Sequence, residues 1–142
     1  MSYNHILVAV DLTKSSKIVI RKAVALAKDA HAKLSFIYVD TDHIRISEPV
    51  NTLGVARPDD GKDKQLLHKE LHALADPLDY PVENTLVVTG DVEEKLTTEV
   101  NLLDADLLVC GHDHDFWKRL LSSVRKLVNI VSTDLLIVYI EK

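Results

Sequence analysis

Two imidazoles and two carboxylates alternate in Gly111-His112-Asp113-His114-Asp115, directly after the apolar run Leu107-Leu108-Val109-Cys110. Alternate residues on a loop can converge, and histidine with aspartate is a ligand set that suits zinc. No third ligand stands at convincing spacing, and Asp115 is well placed to cap a following helix. Cys110, the sole cysteine, lies two residues from His112. A nucleophilic cysteine needs a base, an orienting third group and a positive neighbour that favours its thiolate. No basic cluster adjoins Cys110, so it reads as a small hydrophobe packed at a strand end. His68 and His72 make another pair, four residues apart on a helical pattern and close enough to share a metal ion. Lys69 stands where a zinc-protease helix requires glutamate. Leu67, Leu71 and Leu74 claim the core face of that helix, which leaves the two histidines on its exposed flank. The expectation is therefore no catalytic residue and no metal site.

Phosphate chemistry has its own signatures, and the familiar ones are missing. There is no GxxxxGK[ST] and no GxGxxG after the first apolar run. The first turn also lacks the Ser-Gly-Gly pattern of adenylating synthetases. Asp11, Thr13, Ser15 and Ser16 are all good helix-capping types, and capping explains that cluster.

The elements that must position these residues alternate in type. Ile6-Leu7-Val8-Ala9-Val10 is apolar without alternation, which suits a strand covered on both faces. Ile20, Ala23, Val24, Ala27 and Ala30 recur at helical spacing over residues 15–30. Residues 34–39 read as a second strand and residues 62–75 as a second helix, closed by Pro77. Residues 85–89 form a third, more polar strand ended by Gly90. Asp91 then sits at an N-cap, with Glu93 and Glu94 where the helix dipole favours negative charge. Val92, Leu96, Val100 and Leu103 make that helix's buried stripe. Residues 106–110 are the fourth strand and 135–140 the fifth. Between them Leu120, Leu121, Val124, Leu127, Val128 and Val131 mark a last amphipathic helix, with Trp117 as a core or interface anchor.

Alternating strands and helices imply a parallel sheet with helices on both faces and right-handed crossovers. In such a sheet ligands bind beyond the carboxyl ends of the strands, where the strand order reverses. The chain has 142 residues, enough for one domain spanning residues 1–142 and too few for two ordinary ones. Residues 41–61, with Pro49, Gly54, Pro58 and Gly61, are a long connection for so compact a domain. Net charge is −5 and the basic residues are scattered, which argues against a nucleic-acid partner. The opening apolar run is too short for a signal peptide or a membrane span. One cysteine excludes an internal disulfide. A cytoplasmic protein without a membrane partner is expected.

Several stretches together resemble the universal stress protein family. They are His5-Ile6-Leu7-Val8-Ala9-Val10-Asp11-Leu12, Tyr38-Val39-Asp40 and Leu107-Leu108-Val109-Cys110-Gly111-His112. Asp115-Phe116-Trp117-Lys118-Arg119-Leu120-Leu121-Ser122-Ser123 and the ending Asp134-Leu135-Leu136-Ile137-Val138-Tyr139-Ile140 are most similar to the A branch of that family. The resemblance implies an open five-stranded parallel sheet in the order 3-2-1-4-5, a Rossmann-like fold of the adenine nucleotide alpha hydrolase type, and a homodimer. It further implies a bacterial role in survival during growth arrest and stress, DNA damage included.

The family divides into members that bind ATP or AMP and members that do not. Nucleotide-binding members carry Gly-x-x-Gly, about nine residues, then Gly-Ser or Gly-Thr after the fourth strand. Glycines let backbone N–H groups close around phosphates. Here Gly111 matches the first glycine, His114 takes the second position, and Ser122-Ser123 replaces the last pair after a shorter interval. The resemblance therefore implies a member without a nucleotide cofactor. If ATP or AMP did bind, the matching positions are Asp11, Val39, Gly111, Ser122 and Ser123.

In that strand order the fifth strand lies at the sheet edge. Leu135, Leu136, Ile137, Val138, Tyr139 and Ile140 are apolar on both faces, and an uncovered edge of that kind invites association. A homodimer through this strand is expected; other protein partners are not indicated.

Overall fold

A computed structural model describes residues 3–12, 14, 16–40, 60–112 and 133–139. In chain order these hold β1 (His5–Ala9), α1 (Ser16–Ala30), β2 (Lys33–Asp40), α2 (Asp60–Ala75), β3 (Asn84–Thr89), α3 (Val92–Leu102), β4 (Leu107–His112) and β5 (Asp134–Tyr139). The sheet order is β3-β2-β1-β4-β5 and every pairing is parallel. The expected 3-2-1-4-5 order agrees with this, as does the alternation of strand and helix from β1 to β4.

The chirality of the crossovers explains where the helices lie. From β1 the chain steps one way across the sheet to β2 and β3, then back past β1 to β4. Right-handed connections must put helices on opposite faces when the direction of travel reverses. Accordingly α1 and α2 share one face: Val19, Ile20, Ala23, Val24 and Ala27 of α1 and Leu71 of α2 pack with Ile6, Val8, Leu34 and Phe36. Helix α3 takes the other face, where Val92, Leu96 and Val100 meet Leu7, Ala9, Ile37 and Leu108. Central β1 therefore needs apolar side chains on both sides, and its five residues are all buried.

Element ends depart from the sequence reading at several points. Helix α2 begins at Asp60, two residues before its periodicity starts, so Asp60 and Gly61 are helical and do not belong to the preceding connection. The rest of that connection, residues 41–59, lies outside the described residues. Strand β4 runs on through Gly111 and His112, which were expected to start a turn. The reason is pairing: Gly111 stands against Val138 and His112 against Tyr139, and the parallel ladder continues as far as both partners last. The expected last helix falls in residues 113–132, outside the described residues. Strand β5 is at the sheet edge, as expected, and spans Asp134–Tyr139.

Candidate functional site

The strand register brings the carboxyl-end residues together. Ala9 of β1 is level with Ile37 of β2 and with Cys110 of β4. Asp11 and Val39 thus each stand two residues beyond that level, and Gly111 one. Three of the five positions matched to a nucleotide site therefore emerge at one end of neighbouring strands, at the switch point where such sheets keep ligands. Ser122 and Ser123 lie outside the described residues, as do Asp113, His114, Asp115 and Trp117.

Asp11 is held by the start of α1. The Ser16 hydroxyl donates to Asp11 Oδ1 at 2.6 Å, and the Asp11 backbone N–H donates to Ser16 Oγ at 3.1 Å. Ser16 is buried. Ser16 thus ties the turn after β1 to the start of α1 through Asp11, while Thr13 and Ser15, the other capping candidates, lie outside the described residues. Between Asp11 and Ser16, Leu12 has φ of 64°, the left-handed region that disfavours side chains with a Cβ. Strain of this kind persists only where the surroundings over-determine it, and it gathers at ligand sites.

A second turn at this end is shaped by Gly90. Its φ is 151°, and a Cβ there would come within 2.5 Å of the Lys95 side chain. The Gly90 N–H donates to the Asp40 carbonyl at 3.3 Å, joining the ends of β2 and β3. Asp91 then caps α3 by accepting from the Glu94 N–H at 3.1 Å, as its sequence position predicts.

Cys110 is fully buried and burial pushes its thiol up to about 12. A thiol so placed stays protonated at neutral pH and is no nucleophile. It packs with Leu7, Ala9 and Leu108, the hydrophobe that the sequence predicts. His68 and His72 are both exposed, again as expected from the leucine stripe on α2.

The opposite end of the sheet is cross-linked in a way that no sequence pattern signals. His5 is buried at the start of β1; its Nδ1 lies 3.1 Å from the Leu103 carbonyl and its Nε2 lies 2.7 Å from Ser35 Oγ. A carbonyl only accepts, so Nδ1 carries the proton and Nε2 accepts from the Ser35 hydroxyl. Ser35 Oγ in turn accepts from Asn84 Nδ2 at 3.2 Å. The Asp106 carboxylate receives the backbone N–H groups of Asn4 and His5 at 2.8 and 3.0 Å. Tyr3 donates to Asp134 at 2.8 Å, and this bond to a carboxylate raises the phenol above its ordinary value. Five strands are pinned by side chains at their amino ends.

Strand β5 is uneven in cover. Leu136 packs on the core shared with α1, and Leu135 and Ile137 on the core shared with α3. Val138 is buried, while Tyr139 is 71% exposed. No helix among the described residues is long and apolar enough to cross a membrane.

Known proteins agree with this arrangement. The model of the universal stress protein family matches residues 2–139. Universal stress protein A of Yersinia pestis is 39% identical over 138 residues, covering 97% of this chain and 93% of that protein. Universal stress protein A of Escherichia coli K12 is 38% identical over 141 residues, covering 97% and 95%. Among solved structures, a universal stress protein in complex with cAMP shares the fold with a TM-score of 0.64 at 22% identity, covering 98% of each chain. Sheet order, element sequence and similarity over nearly the whole length agree: the chain belongs to the universal stress protein family.

Proposed function

We propose that this chain is a universal stress protein of the A type that acts as a cytoplasmic homodimer, by binding and regulation rather than catalysis. It supports survival during growth arrest and stress, DNA damage included. The observation that carries the reading is identity of 38–39% across almost the full length of proteins bearing that name. The homodimer meets through Leu135, Leu136, Ile137, Val138, Tyr139 and Ile140; the support is an apolar strand at a sheet edge with an exposed tyrosine at its end. Nucleic acid and membranes are not partners on this reading.

The chain works without nucleotide. The support is chemical: His114 stands where a phosphate-binding loop needs its second glycine, and Ser122-Ser123 lacks the third. A second reading, an ATP- or AMP-binding regulator, is favoured by one observation. Asp11, Val39 and Gly111 emerge together at the switch point, and a protein of the same fold is described with cAMP.

Two experiments test the proposal. Sedimentation at micromolar concentration should give twice the chain mass, and Tyr139→Glu, at the exposed end of β5, should reduce it to one; a wild-type monomer refutes the homodimer. Loss of the protein in its host should lower survival after ultraviolet irradiation and in stationary phase. Survival equal to wild type in both conditions contradicts the stress role.

A further inference from the structure

An open recess of ≈ 640 Å³ lies between α2 and the outer face of edge strand β3. His68, His72 and Asp76 line it, with Gln65, Lys69 and Thr85 around them. The fold makes little use of these groups. The ion pair His72–Asp76 is 66% and 71% exposed, and pairs so exposed contribute little to stability. We propose that His68 and His72 chelate a divalent transition-metal ion of the zinc, nickel or copper class in this recess, with Asp76 as a positioning residue for the His72 ring.

Residues four apart on a helix have Cβ atoms about 5–6 Å apart and face the same way, so two imidazoles can reach one ion at about 2.0–2.1 Å. Both rings border one cavity, which is more than spacing in sequence provides. Asp76 Oδ1 lies 3.4 Å from His72 Nε2, longer than an ordinary N–H···O bond. A carboxylate beside one ring nitrogen is the common partner of a metal-bound histidine, because it fixes the tautomer and leaves the other nitrogen for the metal. Among the described residues no three histidine, cysteine or acidic groups already converge as a cage. The site proposed thus offers two protein ligands, and water would complete the shell of an ion held there. The Lys69 ammonium opposes a cation, but its flexible stem lets the charge move out into water.

The test is calorimetric titration of zinc chloride into the full chain at neutral pH in phosphate-free buffer. One equivalent should bind, and His68→Ala and His72→Ala should each abolish it. Asp76→Asn should weaken binding about tenfold while leaving the zinc-free unfolding temperature unchanged. All three positions are exposed, and that temperature also reports whether each variant is folded. Absence of zinc binding overturns the proposal, as does binding that survives both histidine substitutions. Binding of inorganic phosphate that is lost in Lys69→Ala, with no zinc bound, would make the recess an anion site and overturn it equally.

Discussion

The two ends of the sheet are built on opposite terms. At the amino end, His5, Ser35, Asn84 and Asp106 satisfy one another and the backbone across β1, β2, β3 and the approach to β4. At the carboxyl end the hydrogen bonds of Asp11 run to Ser16 at the start of α1, and positive φ occurs at both ends, at Leu12 and Gly90 here and at His31 and Asp104 there. One end holds register through side-chain bonds between strands; the other brings Asp11, Val39 and Gly111 to neighbouring strand ends. This division is the expected one for a doubly wound sheet, whose ligands approach the carboxyl edge.

The contrast is sharpest in its predicted stability effects. Asp106→Ala should cost about 3 kcal/mol, because a carboxylate accepting two backbone N–H groups is removed and both donors lose their partner. His5→Ala should cost about 2–3 kcal/mol, since Ser35 is left buried without its acceptor. Urea denaturation reads both. At the carboxyl end Ser16→Ala should cost only about 1 kcal/mol, the net loss of the hydroxyl's hydrogen bonds with Asp11. Leu12→Gly should cost at most about 1 kcal/mol, because relief of the positive φ offsets part of the loss of a half-buried side chain packed on the core. Equal losses at the two ends would erase the comparison.

Cys110 supplies a pH test in the same region. Its folded value near 12 lies above the ordinary value of 9.0, so the folded state retains the proton longer than the unfolded chain. Its contribution is intact below pH 9.0 and is lost as pH rises toward about 12. Native protein should react with a thiol reagent at pH 8 only as fast as it unfolds. Rapid native labelling would mean that Cys110 is reachable from the rim.

Much of this architecture was legible in the sequence, and the reasons are local. Unbroken apolar runs announced β1 and β4, because strands covered on both faces cannot alternate. Asp91 announced α3 because its side chain bonds three residues onward. The carboxyl-end cluster followed from topology, which places strand ends with no need of distances. The amino-end network was invisible: His5 and Ser35 are thirty residues apart and His5 and Asp106 a hundred and one, and no spacing rule links them. From sequence alone β4 ends at Cys110, because glycine and histidine look like a turn until β5 is set beside them. The recess at His68 and His72 needed Thr85 from another element to close it.

On the proposed function the carboxyl-end positions lack two of the glycines that would close around phosphate. Thermal unfolding with and without millimolar ATP and Mg²⁺ tests it most directly. A ligand at about 100 times its dissociation constant adds about 2.7 kcal/mol, a shift of several degrees for a chain of this size. No shift is expected from a chain that works without nucleotide. A clear rise that disappears in Gly111→Val would contradict it and restore Asp11, Val39 and Gly111 as a nucleotide site.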